Sequence, residues 1–288
     1  MSTIQVLVTG ANGQLGNECK QLASSMPNAK FYFTDIEELS ITDASAIEHI
    51  FASNHFNFCI NAAAYTAVDQ AETDQEKAMA INATAVGYLA SACQKYNCRL
   101  IHVSTDYVFD GEKDSGYNED DSTGPTNVYG ITKLEGERLA IQNNPMSVII
   151  RTSWVYSYFG KNFVKTMMKL MQERTEISVV SDQIGKPTYA ADLAAAIFAI
   201  MQKSDSVPAG IYHFSNQGVI SWHDFATAIQ QIGGYECLVH PIPSSAYPVP
   251  AKRPNYSILN THKIETIVGI TPPFWRDSLE KCMQLLNA

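Results

Sequence analysis

Short β-branched apolar runs alternate with stretches of helical periodicity through the first half of the chain. The runs fall at 4–9, 30–34, Phe58-Cys-Ile-Asn61, Arg99-Leu-Ile-His-Val-Ser104 and Ser147-Val-Ile-Ile-Arg-Thr152. Helical patterns lie between them, near 13–24, 43–53, 75–96 and 128–142. Strands separated by helices in this way predict a parallel sheet wound by crossovers. After residue 152 the texture changes. A helix near 161–173 leads to a strand Ile177-Ser-Val-Val180 and the turn-rich Asp182-Gln-Ile-Gly-Lys-Pro-Thr188. An Ala-rich helix at 190–202 and a strand Gly210–Phe214 follow, then a Pro-, Ser- and Tyr-rich stretch from 234 to 260 and a final helix after Pro273. No internal repeat or low-complexity segment interrupts the chain.

Ligands of such sheets gather at the carboxyl ends of the strands. Gly10, Asp35, Asn61-Ala-Ala-Ala64, Ser104-Thr105 and Trp154 all fall there. The first run passes at once into Gly10-Ala-Asn-Gly13-Gln-Leu-Gly16 and a helix, the order of a dinucleotide-binding turn. Gly10 permits the tight turn, Gly13 lets the backbone approach a pyrophosphate, and Gly16 brings helix and strand together. The helix N-terminus offers its unpaired N–H groups to the phosphates. A structural turn uses the same glycines, so the placement between strand and helix carries the argument. The second strand ends at Asp35, about 20 residues on, where an acid accepts hydrogen bonds from an adenosine ribose. Asp35 as a helix cap is the alternative. Glu37 and Glu38 follow, and no Arg or Lys lies between Asp35 and Lys77, which favours NADH over NADPH.

The expected fold is therefore α/β, a Rossmann-type doubly wound parallel sheet with a smaller α/β substrate-binding lobe. Residues 1–152, rejoined by 188–215, are expected to bind NAD(P), and 153–187 with 216–288 to form the lobe.

Two further stretches carry candidate chemistry, Val103-Ser-Thr-Asp-Tyr107 and Tyr129-Gly-Ile-Thr-Lys133. A phenol titrates near ~10 and needs a cation and a hydroxyl beside it to exchange protons at neutral pH. On a helix, Lys133 one turn after Tyr129 shares its face and is expected to lower the phenol's pKa. That spacing alone is common in helices. Its company with the glycine turn makes it a carbonyl-reducing site.

Composition narrows the partners. The 288 residues carry a formal net charge of −9, from 20 Lys and Arg against 29 Asp and Glu, which argues against nonspecific binding to nucleic acid or an anionic membrane. Six cysteines (Cys19, Cys59, Cys93, Cys98, Cys237, Cys282) form no Cys-x-x-Cys pair, so neither a zinc site nor a disulfide framework is expected. The first strand begins within a few residues of the N-terminus, with no basic segment before it, and no apolar stretch approaches the ~20 residues of a membrane span. A soluble cytoplasmic enzyme is expected.

With these motifs in place, the chain resembles the extended short-chain dehydrogenase/reductases, and within them the dTDP-4-dehydrorhamnose reductase family. The resemblance rests on Thr9-Gly-Ala-Asn-Gly-Gln-Leu-Gly16, Asn61-Ala-Ala-Ala-Tyr-Thr-Ala-Val-Asp69, Ser104-Thr-Asp-Tyr-Val-Phe-Asp-Gly111, Asn127-Val-Tyr-Gly-Ile-Thr-Lys133, Arg151-Thr-Ser-Trp154, Asn162-Phe163 and Arg253-Pro254. It implies that Tyr129 donates a proton to a sugar O4 as hydride reaches C4. Lys133 would hold the nicotinamide ribose, and Thr105 would bond the same oxygen as Tyr129. It further implies that Asn12, Gly13, Gln14 and Leu15 hold the pyrophosphate, while Ala62, Ala63 and Ala64 line the adenosine path. Asp106, Tyr107, Trp154, Asn162 and Arg253 would meet a nucleotide-sugar substrate, with Lys252 and Arg253 balancing its diphosphate. Trp154 as hinge packing, Tyr107 as a core aromatic, Asn162 as a helix N-cap, and Lys252 or Arg253 as solvated charge stand as the alternatives.

Two positions depart from the family pattern. Leu39-Ser40-Ile41 stands where many extended reductases hold the adenine with an acid, so Ser40 is the weaker acceptor there. Some members bind magnesium between subunits through glutamates. Glu18 and Asp192 match two such positions, but the last six residues hold no acid, so no metal is expected. The resemblance leaves a homodimer open. Two competing functions remain: an epimerase or 4,6-dehydratase, which would need an acid where Tyr107 stands, and a non-catalytic cofactor-binding subunit.

Overall fold

Every apolar run of the first half becomes a strand, and the helical patterns between them become crossovers. The computed structural model describes residues 3–287. Its first half runs β1 (Ile4–Thr9), α1 (Gln14–Leu22), β2 (Ala29–Thr34), α2 (Ala44–Ser53), β3 (Phe58–Asn61), α3 (Val68–Ala71), α4 (Gln75–Met79), α5 (Ala85–Lys95), β4 (Arg99–Thr105), α6 (Val128–Asn143) and β5 (Val148–Thr152). The second half continues with β6 (Val155–Tyr156), α7 (Phe163–Glu173), β7 (Glu176–Val180), β8 (Ile184–Gly185), β9 (Thr188–Tyr189), α8 (Ala190–Gln202) and β10 (Gly210–His213). It ends with β11 (Ile220–Ser221), α9 (Trp222–Gly233), β12 (Leu238–Ile242), α10 (His262–Val268) and α11 (Trp275–Leu286).

Six strands pair in the order β10-β5-β4-β3-β1-β2, all parallel. Alternate residues face opposite layers, as the two-residue period of a strand requires. Val6, Val8, Ile60, Ile101 and Ile150 pack on one face with Leu193 and Ile197 of α8. Leu7, Cys59, Leu100 and Ile149 pack on the other with Ile47 and Phe51 of α2 and Leu89 of α5. The chain winds one way from β1 to β2 and the other way to β3, so the crevice between β1 and β3 is the switch point at which doubly wound sheets bind ligands.

The expected helix over 75–96 is not continuous. Residues Ala80–Thr84 form a π-helical turn between α4 and α5. Within it Asn82, fully buried, accepts from the Tyr65 N–H at 2.8 Å and donates to the Tyr65 carbonyl and to Thr132 Oγ1 at 3.1 Å each. This turn fastens the loop after β3 to α6.

The smaller lobe has its own core of Tyr156, Val164, Met167, Phe225, Ile229, Trp275 and Leu279. The Pro- and Tyr-rich stretch is not wholly irregular: β12 pairs in parallel with β7, Leu238 opposite Glu176. β12 gives little signal because most of it stays exposed and it contains Pro241.

Candidate active site

The glycine turn closes as its sequence requires. Gly10 sits at φ +67°, and a Cβ there would stand 2.6 Å from the Ala63 nitrogen, so only glycine lets β1 turn against the loop after β3. Gly13 is the N-cap of α1 and supplies no side-chain cap, and the first turn of α1 carries no acid. The N–H groups of Gln14 and Leu15 therefore begin a nine-residue helix with no side-chain cap among the described residues, an arrangement that fits a pyrophosphate.

Asp35 follows β2 and heads a single turn, its carbonyl accepting from the Glu38 and Leu39 N–H groups. Its Oδ2 accepts from the Asn12 N–H at 2.8 Å and its Oδ1 from the Ile36 N–H at 2.8 Å. Lys20 Nζ lies 3.0 Å from Asn12 Oδ1, so a cation stands near the end that the acids alone were expected to define. Lys20 lies on α1, outside the cation-free interval between Asp35 and Lys77. Ser40 Oγ bonds Thr42 Oγ1 at 2.9 Å, and Ile41 is buried against Leu39 and Ile47. Ala62, Ala63 and Ala64 are half-buried along the crevice.

Thr105 ends β4, and α6 places Tyr129 in its first turn and Lys133 in its second. The two segments touch because residue 130 is glycine: a Cβ there would lie 2.2 Å from the Tyr107 carbonyl oxygen. Asn127 caps α6 through Oδ1, bonded by the Gly130 N–H at 2.8 Å. Tyr107 sets its ring edge-on to Tyr129, centroids 5.5 Å apart. Deeper along α6, Glu137 accepts from Arg151 on β5 at 2.7 Å and from Ser104 on β4 at 2.5 Å, a buried pair that fixes the helix against both strands.

The proton balance differs from the expected one. Burial pushes the Tyr129 phenol up to about 12, the Thr105 hydroxyl opposing and the Asp106 charge adding to it. Lys133 is not among the groups that move Tyr129. The expectation that Lys133 acidifies the phenol therefore fails in this form of the protein, for a geometric reason: the Lys133 amine turns to β4, 2.7 Å from the Val103 carbonyl and 3.4 Å from His102 Nε2. Burial also draws Lys133 down to about 8, with Glu137 opposing. Asp106 is raised to about 6, burial outweighing the hydroxyls of Ser257 and Thr105. The Thr105 hydroxyl donates to Asp106 Oδ1 at 2.9 Å.

The lobe brings aromatic and polar groups to the same edge. Trp154 adopts φ +49°, a left-handed conformation costing about 1–2 kcal/mol for a non-glycine residue, and stacks on Trp222 with centroids 3.6 Å apart. Such an outlier held by its neighbours is a feature of ligand clamps. Trp222 belonged to none of the motifs singled out in the sequence. Asn162 is the N-cap of α7, its Oδ1 taking the Lys165 N–H at 3.1 Å, and its Nδ2 also reaches Gln14 Oε1 at 2.9 Å. Arg253 meets Asp69 through both terminal guanidinium nitrogens. The structure thus gives it a carboxylate partner, where a diphosphate was expected.

Glu18 and Asp192 are each held by hydroxyl or amide partners within the chain. Glu18 is buried with Ser157 Oγ donating to it at 2.6 Å, and burial raises its pKa. Asp192 accepts from Asn216 at 2.6 Å and Ser278 at 2.5 Å. Among the described residues no three His, Cys, Asp or Glu side chains gather as metal ligands.

A dinucleotide turn at the switch point, with a tyrosine, a lysine and a threonine at the neighbouring strand end, defines a nicotinamide-dependent oxidoreductase of the Rossmann class. Comparison with known proteins narrows this. The family model described as RmlD substrate binding domain matches residues 4–288. The chain is 43% identical to the dTDP-4-dehydrorhamnose reductase of Aggregatibacter actinomycetemcomitans, over 96% of this chain and 97% of that one. It is 41% identical to the spore coat polysaccharide biosynthesis protein SpsK of Bacillus subtilis, over 97% of each. The structure of dTDP-4-dehydrorhamnose reductase from Bacillus anthracis in complex with NADP superposes with a TM-score of 0.94, at 38% identity, covering 98% of this chain and 99% of that one. The chain belongs to the RmlD substrate binding domain family, among the dTDP-4-dehydrorhamnose reductases.

Proposed function

We propose that this protein reduces the C4 carbonyl of dTDP-4-dehydro-L-rhamnose to give dTDP-L-rhamnose, for surface polysaccharide, using NADH or NADPH. The observation that carries this reading is the convergence of Thr105, Tyr129 and Lys133 at the end of β4, made by the close approach of Gly130 to Tyr107. A bound nicotinamide supplies hydride to C4. Tyr129 gives its phenolic proton to O4 and Thr105 bonds the same oxygen. Lys133 holds the cofactor ribose. Gly10, Asn12, Gly13, Gln14, Leu15 and Gly16 cradle the pyrophosphate. Asp35 meets the adenosine ribose, Ser40 and Ile41 the adenine, and Ala62, Ala63 and Ala64 the path between.

Residues 1–152 with 188–215 form the cofactor-binding part in this reading, supported by the pairing of β10 with β5. Residues 153–187 and 216–288 hold the sugar nucleotide, with Trp154, Tyr107, Asp106, Asn162 and Arg253 at its edge. Six free, buried cysteines support a reducing cytoplasm as its compartment. The family resemblance leaves a homodimer open, and sedimentation of the purified protein decides it.

The test is incubation with the 4-keto sugar nucleotide and cofactor deuterated at the transferred position. One deuterium should appear at sugar C4 per cofactor oxidised. Label at C6, or product formed without net oxidation, would make the protein a dehydratase or epimerase. Tight binding without reaction would make it a regulatory subunit.

A further inference from the structure

Next to Lys133, three adjacent strands place polar side chains at one register. Thr9 on β1 stands opposite Asn61 on β3, and Asn61 opposite His102 on β4. All three are buried. Their hydrogen bonds fix one another's direction. The Ala63 N–H can only donate, and it meets Asn61 Oδ1 at 3.2 Å, where Thr9 Oγ1 also donates at 2.7 Å. The amide is thereby oriented with Nδ2 toward His102 Nδ1, 3.0 Å away. Nδ1 must accept, so a neutral imidazole carries its hydrogen on Nε2. Nε2 is the atom 3.4 Å from Lys133 Nζ.

We infer that His102 is a positioning residue of this site: held by Asn61 as the Nε2–H tautomer, it offers a donor to Lys133 and favours the lysine's neutral amine. An ammonium has no lone pair to meet that N–H, whereas an amine has one. Burial, with the Lys133 charge adding to it, holds His102 well below the usual histidine range, so it stays neutral. The low Lys133 pKa agrees.

The inference rests on the reductase reading for its use. Proton transfer from Tyr129 to the carbonyl oxygen leaves a phenolate. Swinging from the Val103 carbonyl to the phenolate, Lys133 can restore the phenol by losing an N–H proton as the O–H bond forms, and the amine that returns to β4 is the form that accepts from His102. A proton from solvent then returns the ammonium. Glu137 on the same helix pulls toward the charged form, and is itself held by Arg151 of β5 and Ser104 of β4. Asp106 and Tyr107 after β4 and Tyr129 on α6 are further titratable groups of the site, and Asn61 on β3 is neutral.

Labelling with 15N-histidine and recording two-bond proton–nitrogen correlations reads the tautomer without turnover, the His102 signal being identified by its loss in His102→Phe. Nε2–H is expected at neutral pH. Nδ1–H or an imidazolium there overturns the inference. Asn61→Asp keeps the amide's shape but replaces its donor with an acceptor, so the imidazole must protonate at Nδ1 and turn a lone pair to Lys133. The alkaline limb of kcat/KM for carbonyl reduction should then move up by about one pH unit, a tenfold change in proton affinity. The same change made on His102→Phe isolates the effect of the added charge. Equal shifts with and without His102 overturn the inference. The spectra stand apart from the choice of substrate, so failure of the proposed reaction and failure of the tautomer are told apart.

Discussion

Arg253 grips Asp69 with both ends of its guanidinium, at 2.9 and 2.8 Å, across 184 positions of sequence. The pair ties the 251–254 segment to α3, just beyond the alanines that line the crevice. Asn127, the N-cap of α6, adds a bond from Nδ2 to the Lys252 carbonyl at 2.7 Å. The 251–254 segment, α3 and α6 are thus mechanically joined. The Arg253 side chain is the first reason that Asp69 titrates below the usual carboxylate range.

Replacing Asp69 by Asn preserves shape and removes the charge, so the 251–254 segment should loosen while the glycine turn stays intact. The expected result is a rise of about tenfold in KM for the nucleotide sugar, the cost of one weakened charged hydrogen bond of about 1.5 kcal/mol. The dissociation constant of NADPH should stay within a factor of two, roughly 0.4 kcal/mol. Steady-state kinetics and fluorescence titration measure the two. Cofactor affinity falling as far as substrate affinity would show that the pair supports the cofactor loop instead.

Tyr129→Phe should abolish most turnover and spare cofactor binding, because only the phenolic oxygen is lost. General acid contributions run to ~10²–10⁴-fold in rate. Single-turnover measurement of cofactor oxidation is the check. A rate within about threefold of wild type, far inside that range, would remove Tyr129 from the chemistry.

Much of this was legible in the chain, and the reasons for the rest are physical. Local pattern gave β3 at Phe58–Asn61 and α8 at Ala190–Gln202, because both are apolar, uninterrupted and bounded by turn signals. The π turn at Ala80–Thr84 was invisible because its cause is tertiary: Asn82 bonds Tyr65 and Thr132, neither its neighbour in sequence. α9 was missed although Ser221 and Asp224 form a capping box at its start. The sharing of one helix face by Tyr129 and Lys133 was readable from spacing, while Thr105 came with the family resemblance. The direction of the Lys133 amine was not, since it depends on the strand beneath the helix.

Cofactor choice should respond to two residues in opposite senses. Asp35 stands where a 2′-phosphate would be repelled, while Lys20 supplies a cation beside Asn12. The wild type should show the higher kcat/KM with NADH. Asp35→Ala should narrow that preference by about fivefold, from repulsion of about 1 kcal/mol at an exposed site. Lys20→Ala should widen it. Ratios of kcat/KM for the two cofactors in the three proteins measure this, and unchanged ratios in both variants would place the discrimination elsewhere.

Lys133 should cost the protein stability in return for function. The side chain is 2% exposed and titrates near 8, mainly because burial disfavours its charge. In an unfolded chain it would titrate near ~10.4. The folded state therefore releases a proton that the unfolded state keeps, and stability rises with pH between about 8 and ~10.4. Below about 8 the full penalty applies, on the order of 3 kcal/mol. Lys133→Met has similar length and no charge. It forfeits the bond to the Val103 carbonyl, worth ~1 kcal/mol, and should still be the more stable protein at pH 7 by roughly 2 kcal/mol. It should also lose reductase activity. Denaturant unfolding of both proteins without cofactor, from pH 7 to 10, gives the comparison. The gap should close as the pH passes 8, because the wild type then sheds its buried charge. A variant less stable at pH 7, or a gap that does not change with pH, would mean that the ammonium is accommodated without penalty.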